Sequence, residues 1–181
     1  MKTTVELSKT MKAKPSRHGL SYFVKTFGCQ MNEHDSERIA GLFEHDGMLK
    51  APDIDNADVL FINTCTIREN ADDKLYGTLG QLKKWKSEKS NRKLLVGGCA
   101  AQKDKELVRE RAPWVDVVIG THNLTNIVNL LNQSEDWGPI TEVIDEIESL
   151  PTDAPSIRES EVSAWLTIQI GCNNSCTFCI V

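Results

Sequence analysis

The sequence predicts an α/β domain built on an open parallel sheet with helices on both faces, and two observations predict it. Four short β-prone runs alternate with stretches of helical periodicity between Ser21 and Leu131. Parallel strands need such helical crossovers, which then cover both faces of the sheet. The length of 181 residues, 40% of them apolar, is enough for one well-buried domain and a smaller piece, but not for two full domains.

Taken in order, residues 1–19, with Lys2, Lys9, Lys12, Lys14, Pro15 and Arg17, read as a disordered polar tail, and Met11 is a second candidate start beside Met1. Tyr22 to Phe27 is the first strand, ending at Gly28-Cys29. Asn32 or Asp35 is placed to cap a helix in which Ile39, Leu42 and Phe43 recur at helical spacing, with Gly47 as its stop. Asp58 to Asn63 is the second strand, ending at Thr64-Cys65, and the helix after it carries Ala71, Leu75, Leu79, Leu82 and Trp85 along one stripe. Lys93 to Val96 is the third strand, ending at Gly97-Gly98-Cys99. Lys103 to Arg111 reads as one short helix stopped before Pro113. Val115 to Ile119 is the fourth strand, ending at Gly120-Thr121-His122, and Leu124 to Leu131 is a further helix. These elements make a flavodoxin-like three-layer domain over residues 20–136. Residues 137–160 are an acidic linker interrupted by Pro139, Pro151 and Pro155, with Ile140 to Ile147 a candidate strand or helical turn. Residues 161–181 open a further unit with the alternating run Trp165 to Ile170.

Composition narrows the setting. The amino-terminal stretch lacks a signal-peptide core, and no run approaches the roughly 18 apolar residues of a membrane span. A cytoplasmic protein follows, in which six cysteines serve better as metal ligands or nucleophiles than as disulfides. The net charge of −5 argues against nucleic-acid binding by this chain acting alone. The basic run Lys83, Lys84, Lys86, Lys89, Arg92 and Lys93 could touch phosphates, but it reads better as a solvated helix end, with Trp85 in the core.

Cysteine placement is the strongest chemical signal. Cys29, Cys65 and Cys99 each stand just past the end of a strand. In an open parallel sheet those ends share one edge, where ligands bind, and each lies near a helix amino terminus that favours a thiolate. Gly28, Gly97 and Gly98 remove side chains beside two of them. The trio reads as the ligands of a three-cysteine 4Fe-4S cluster. A nucleophilic or redox thiol is the weaker alternative, because residues 20–136 contain no C-x-x-C pair. His34 and His122 are candidate supporting groups. A second set, Cys172, Cys176 and Cys179, has the spacing C-x3-C-x2-C. Three thiolates hold three irons of a cubane and leave the fourth open, whereas a zinc site usually brings four ligands and no second C-x2-C pair is adjacent.

The residues Cys172-x3-Cys176-x-Phe178-Cys179 resemble the cluster motif of radical S-adenosylmethionine enzymes. Gly28-Cys29-Gln30-Met31-Asn32, Asn63-Thr64-Cys65-Thr66-Ile67-Arg68-Glu69 and Gly97-Gly98-Cys99 are similar to the three signatures of the radical S-adenosylmethionine methylthiotransferase family, over about residues 20–181. Gln30-Met31-Asn32 looks most like the tRNA branch that acts on N6-dimethylallyladenosine. Branches acting on threonylcarbamoyladenosine in tRNA or on a ribosomal protein usually differ there. The resemblance implies a methylthio group added to carbon 2 of that adenosine beside the anticodon. It implies two 4Fe-4S clusters: Cys172, Cys176 and Cys179 hold the one that cleaves S-adenosylmethionine to a deoxyadenosyl radical, with Phe178 near its adenine. Cys29, Cys65 and Cys99 hold the auxiliary one that provides sulfur. It further implies tRNA as partner, a reductant such as flavodoxin or ferredoxin, and a monomer. Family members continue into a barrel and an RNA-binding domain. On this reading residues 164–170 are the first barrel strand of a truncated chain that is inactive alone, its terminal cysteines on a loose, exposed tail. The competing classes are an iron–sulfur carrier or electron-transfer module and a structural zinc protein.

Overall fold

Residues 17–66, 71–145, 155–158, 160–168 and 177 are described by the structure, a computed structural model. Six strands form one sheet: β1 (Ser21–Thr26), β2 (Leu49–Lys50), β3 (Val59–Thr64), β4 (Lys93–Gly98), β5 (Val117–Ile119) and β6 (Ile140–Glu142). Their order is β2-β1-β3-β4-β5-β6, and every pairing is parallel. This is the flavodoxin-like winding with a sixth strand added.

Strand alternation builds the layers. Successive side chains of a strand point to opposite faces, so β3 sends Leu60 and Ile62 one way and Val59 and Phe61 the other. Leu60, Ile62, Leu94, Val96 and Val118 pack with Leu75, Leu79, Leu82 and Trp85 of helix α2 (Ala71–Glu88) and with Ala100 and Val108. Ala100 lies on helix α3 (Cys99–Asp104) and Val108 on α4 (Leu107–Arg111). On the other face Val59, Phe61, Leu95, Val117 and Ile119 meet Ile39 and Phe43 of α1 (Gln30–His45) and Ile127, Leu130 and Leu131 of α5 (Ile127–Trp137). Each fully buried side chain of this size contributes about 1.5–3 kcal/mol, so both apolar faces hold the sheet. Among the described residues no helix is long and apolar enough to cross a membrane.

Several expectations are corrected. Helix α1 begins at Gln30 with Cys29 at its N-cap position, ahead of the expected caps Asn32 and Asp35. The single helix expected over Lys103 to Arg111 is two: α3 starts at Cys99, Lys105 has φ +49°, and α4 follows. The helix expected from Leu124 is a 3-10 turn over Thr121–Asn126 that leads into α5. The exposed two-residue edge strand β2 has no periodicity to announce it. β6 lies in the segment read as a linker, where Ile140 to Ile147 was a candidate strand, and residues 155–158 of that segment touch α1, with Ile157 N–H donating to Glu37 O at 3.0 Å.

Arg17, placed by sequence in the tail, is buried. It pairs with Asp46 at 2.8 Å and Glu135 at 3.0 Å and donates to Asn132 at 2.6 Å, joining the carboxyl ends of α1 and α5. Residues 164–168 carry no strand, and Leu166 and Ile168 are exposed. The basic run braces the sheet: Lys86 and Lys93 pair with Asp116. Arg92 is buried, stacks on Trp85 with 4.7 Å to the ring centroid, and donates to the carbonyls of Trp85 and Asp55, both at 2.6 Å.

Candidate metal centre

Register places three cysteines on one edge. β1, β3 and β4 are neighbours in which Thr26 pairs with Asn63, Asn63 with Gly97 and Thr64 with Gly98. The three strands therefore end at one level; Cys65 and Cys99 directly follow β3 and β4, and Cys29 follows β1 after Phe27 and Gly28. The sheet's order reverses at β1, between β2 and β3, and such a switch point opens a crevice at the carboxyl edge. Cys65 is buried, Cys29 and Cys99 are half-buried, and none is in a disulfide.

Glycine lets the loops close. Gly28 has φ +150°, and a Cβ there would lie 2.2 Å from Asn32 Oδ1 and 2.9 Å from Cys65 Cβ. Gly98 has φ +89°, and a Cβ there would lie 2.4 Å from both Asn63 Oδ1 and the Thr64 carbonyl. Both positions require glycine for backbone conformation and for contact with the neighbouring loop.

Electrostatics treats the three thiols as one group. Burial pushes the Cys99 thiol up from its ordinary pKa, and Cys65, Cys29 and Asp35 push it further, while its own backbone N–H opposes them. Asp35 itself is raised to about 6, chiefly by burial, with Arg38 opposing. The crowding of thiols and a carboxylate at this half-buried edge thus disfavours ionisation of Cys99.

The donor type and number are those of a cubane with one open iron. Among the described residues no three His, Cys, Asp or Glu side chains converge to hold one metal ion, which tetrahedral zinc would require. Three thiols spread over three adjacent strand ends suit a cubane, whose ligands bind separate iron corners.

The supporting histidines are placed elsewhere. Burial and the Arg38 cation hold His34 below the ordinary imidazole pKa, with Glu37 opposing and Arg158 adding to the depression. His122 lies near the exposed Asp145, whose carboxyl is held low chiefly by the hydrogen bond from Lys105, with His122 a smaller contributor. Its buried Nδ1 has no hydrogen-bond partner among the described residues. No hydrogen bond joins either histidine to a thiol among the described residues. Cys172, Cys176, Phe178 and Cys179 lie outside the described residues, and the neighbouring Thr177 is exposed.

Comparison with known proteins decides the family. Residues 21–120 match the Uncharacterized protein family UPF0004. The chain belongs to this family. Its matched span contains Cys29, Cys65 and Cys99 and stops before the second cysteine set. The chain is also 50% identical, over 96% of its length, to a protein of Corynebacterium jeikeium named tRNA-2-methylthio-N(6)-dimethylallyladenosine synthase, covering 34% of that protein. Proteins of the same name from Tropheryma whipplei and Nocardioides sp. are 52% and 50% identical, over 90% and 89% of this chain and 34% and 33% of their own lengths. The chain thus spans about a third of the length of the curated relatives it matches.

Sequence reasoning missed two residues of this UPF0004 domain's edge. Asp35 was read as a helix cap, and its signal is an acidic residue one turn into a helix that starts at a thiol. Asn63 was read as a strand end. It is a fully buried amide closing a strand whose other residues are apolar but for Thr64, and a polar residue there needs partners.

Proposed function

We propose that this chain carries the sheet domain and the radical-cluster motif of a tRNA methylthiotransferase that adds a methylthio group to carbon 2 of N6-dimethylallyladenosine beside the anticodon. The observation that carries the reading is that Cys29, Cys65 and Cys99 follow the carboxyl ends of three neighbouring strands on one edge of the sheet. It is supported by 50% identity to relatives bearing that activity in their names.

In this reading Cys29, Cys65 and Cys99 would hold an auxiliary 4Fe-4S cluster. Cys172, Cys176 and Cys179 would hold a second, with Phe178 against the adenine of S-adenosylmethionine. When bound, the two clusters supply sulfur and one-electron cleavage of the cosubstrate, chemistry that belongs to the cofactors. The chain's share is ligation and orientation. Parallel strand ends set the level of the thiols, Gly28 and Gly98 let the loops close, and the burial of Cys65 would limit water around its thiol. The reductant is a flavodoxin or ferredoxin, and the protein works as a cytoplasmic monomer.

The test is nucleoside analysis of tRNA from a host lacking the modification and carrying the gene of a full-length relative in which the matching third is replaced by this chain. The reading expects 2-methylthio-N6-dimethylallyladenosine with the parent gene, and none with Cys29→Ala or Cys176→Ala. Methylthiolation of threonylcarbamoyladenosine instead, or product from both variants, would overturn it.

A further inference from the structure

We infer that Asn32 and Asn63 form an amide clamp that holds the three cysteine loops in register for the auxiliary cluster, with Asn32 as the positioning residue. The inference rests on the cluster reading above and adds residues that bind no iron themselves.

The hydrogen bonds leave one arrangement for each amide. Asn32 Nδ2 donates to Asn63 Oδ1 and to the Thr64 carbonyl, both at 3.0 Å. Its Oδ1 must then face Cys29, where it accepts from the backbone N–H at 3.3 Å and from the thiol at 3.6 Å. This is the reciprocal half of a capping box, with a cysteine at the N-cap position. Asn63 Nδ2 donates to the Asn32 carbonyl at 2.7 Å and to Ser36 Oγ at 2.9 Å, and Ser36 is joined to Thr26 at 2.8 Å. Every donor of both amides is used, so neither side chain can turn without leaving a buried group unpaired.

The clamp touches all three loops. The Cys29 loop is held through the Cys29 N–H, and Gly28 lies against Asn32 Oδ1. The Cys65 loop is held through the Thr64 carbonyl. The Cys99 loop is held through Gly98, where Asn63 Oδ1 and the Thr64 backbone leave no room for a Cβ, and through Thr64 Oγ1 donating to the Gly97 carbonyl at 2.7 Å. Both asparagines are at most 1% exposed. A domain that needed only stability could fill those positions with apolar side chains. A fully satisfied buried amide pair instead fixes one geometry. A cubane held at three corners tolerates little error in thiol spacing, so fixing that geometry before iron arrives is what the clamp supplies.

The test uses the full chain carrying Cys172→Ala, Cys176→Ala and Cys179→Ala, so that only the trio can bind iron. After anaerobic reconstitution, iron loss to a chelator and the midpoint potential are measured. Asn32→Ala should lose iron about tenfold faster than its parent, the effect of one buried amide left unpaired. Asn32→Asp, which keeps the acceptor facing Cys29 and loses only the donors, should behave likewise with a lowered potential. Asn32→Ala/Asn63→Ala should lose iron little faster than either single variant, because the amides act as one unit. Ser134→Ala removes a buried hydrogen bond on α5 and serves as the control, with unchanged iron loss and potential. Asn32 variants that match the parent, or a control that loses iron as fast as they do, would overturn the clamp while leaving the cluster reading intact. A parent that binds no iron at the trio would overturn that reading, and the clamp with it.

Discussion

Replacing Asp35 by Asn should stabilise the metal-free protein, and by an amount that depends on pH. Burial raises the Asp35 carboxyl from its ordinary 3.8 to about 6. A shift of about two units corresponds to at most about 3 kcal/mol, and residual solvent contact reduces this to about 1–2 kcal/mol. The sign follows from proton linkage. A carboxyl with a raised folded-state pKa holds its proton better folded than unfolded, so its contribution is fully present below pH 3.8 and lost as pH rises through about 6. Above pH 6 the folded protein bears the whole penalty of a charged, largely buried carboxylate. Urea unfolding of parent and Asp35→Asn between pH 4 and 8, without metal, measures it. The variant should be more stable by about 1–2 kcal/mol at pH 7.5, and the gap should close by about pH 4. A gap that is absent, reversed or independent of pH would refute the reasoning.

Two other perturbations test the packing around the sheet. A Cβ at Gly41 would lie 2.3 Å from the Pro155 carbonyl oxygen and 2.8 Å from the Ser156 nitrogen, backbone atoms that cannot step aside. Gly41→Ala should therefore forgo the gain of about 0.5–1 kcal/mol usual for this change in a helix, and trypsin should cut after Arg158 about tenfold faster. Unchanged cleavage would contradict the contact. Arg17→Ala breaks a buried junction to Asp46, Asn132 and Glu135 and should cost about 1–3 kcal/mol in urea unfolding, whereas a loss within about 0.5 kcal/mol would place Arg17 in a solvated tail.

The parts of the fold legible in the sequence were those written in local pattern. The apolar runs of β3 and β4, the stripe from Leu75 to Trp85 on α2, and the cysteines closing three strands all lie in short windows. From them the sheet class and the edge shared by Cys29, Cys65 and Cys99 followed. What was illegible depends on distant partners. β2 is two exposed residues whose strand character comes only from pairing with β1. β6 falls where the sequence offers a strand or a helical turn over Ile140 to Ile147, and only its pairing with β5 decides between them. Arg17 looks like tail until Asp46 and Glu135 are brought to it. The break at Lys105 is hidden because its neighbours are good helix formers. Asn32 and Asn63 look like an ordinary cap and an ordinary strand end. Their pairing joins positions 31 residues apart, which no local window contains.

The central proposal is that this chain would hold two independent three-cysteine clusters, one of them on the edge of the parallel sheet. Iron and sulfide counting after anaerobic reconstitution tests it most directly, with the full chain beside Cys29→Ala and Cys176→Ala. The account predicts about eight irons in the parent and about four in each variant. Zinc retained on the thiols without visible iron absorbance, or a Cys29→Ala variant that keeps all the parent's iron, would contradict it.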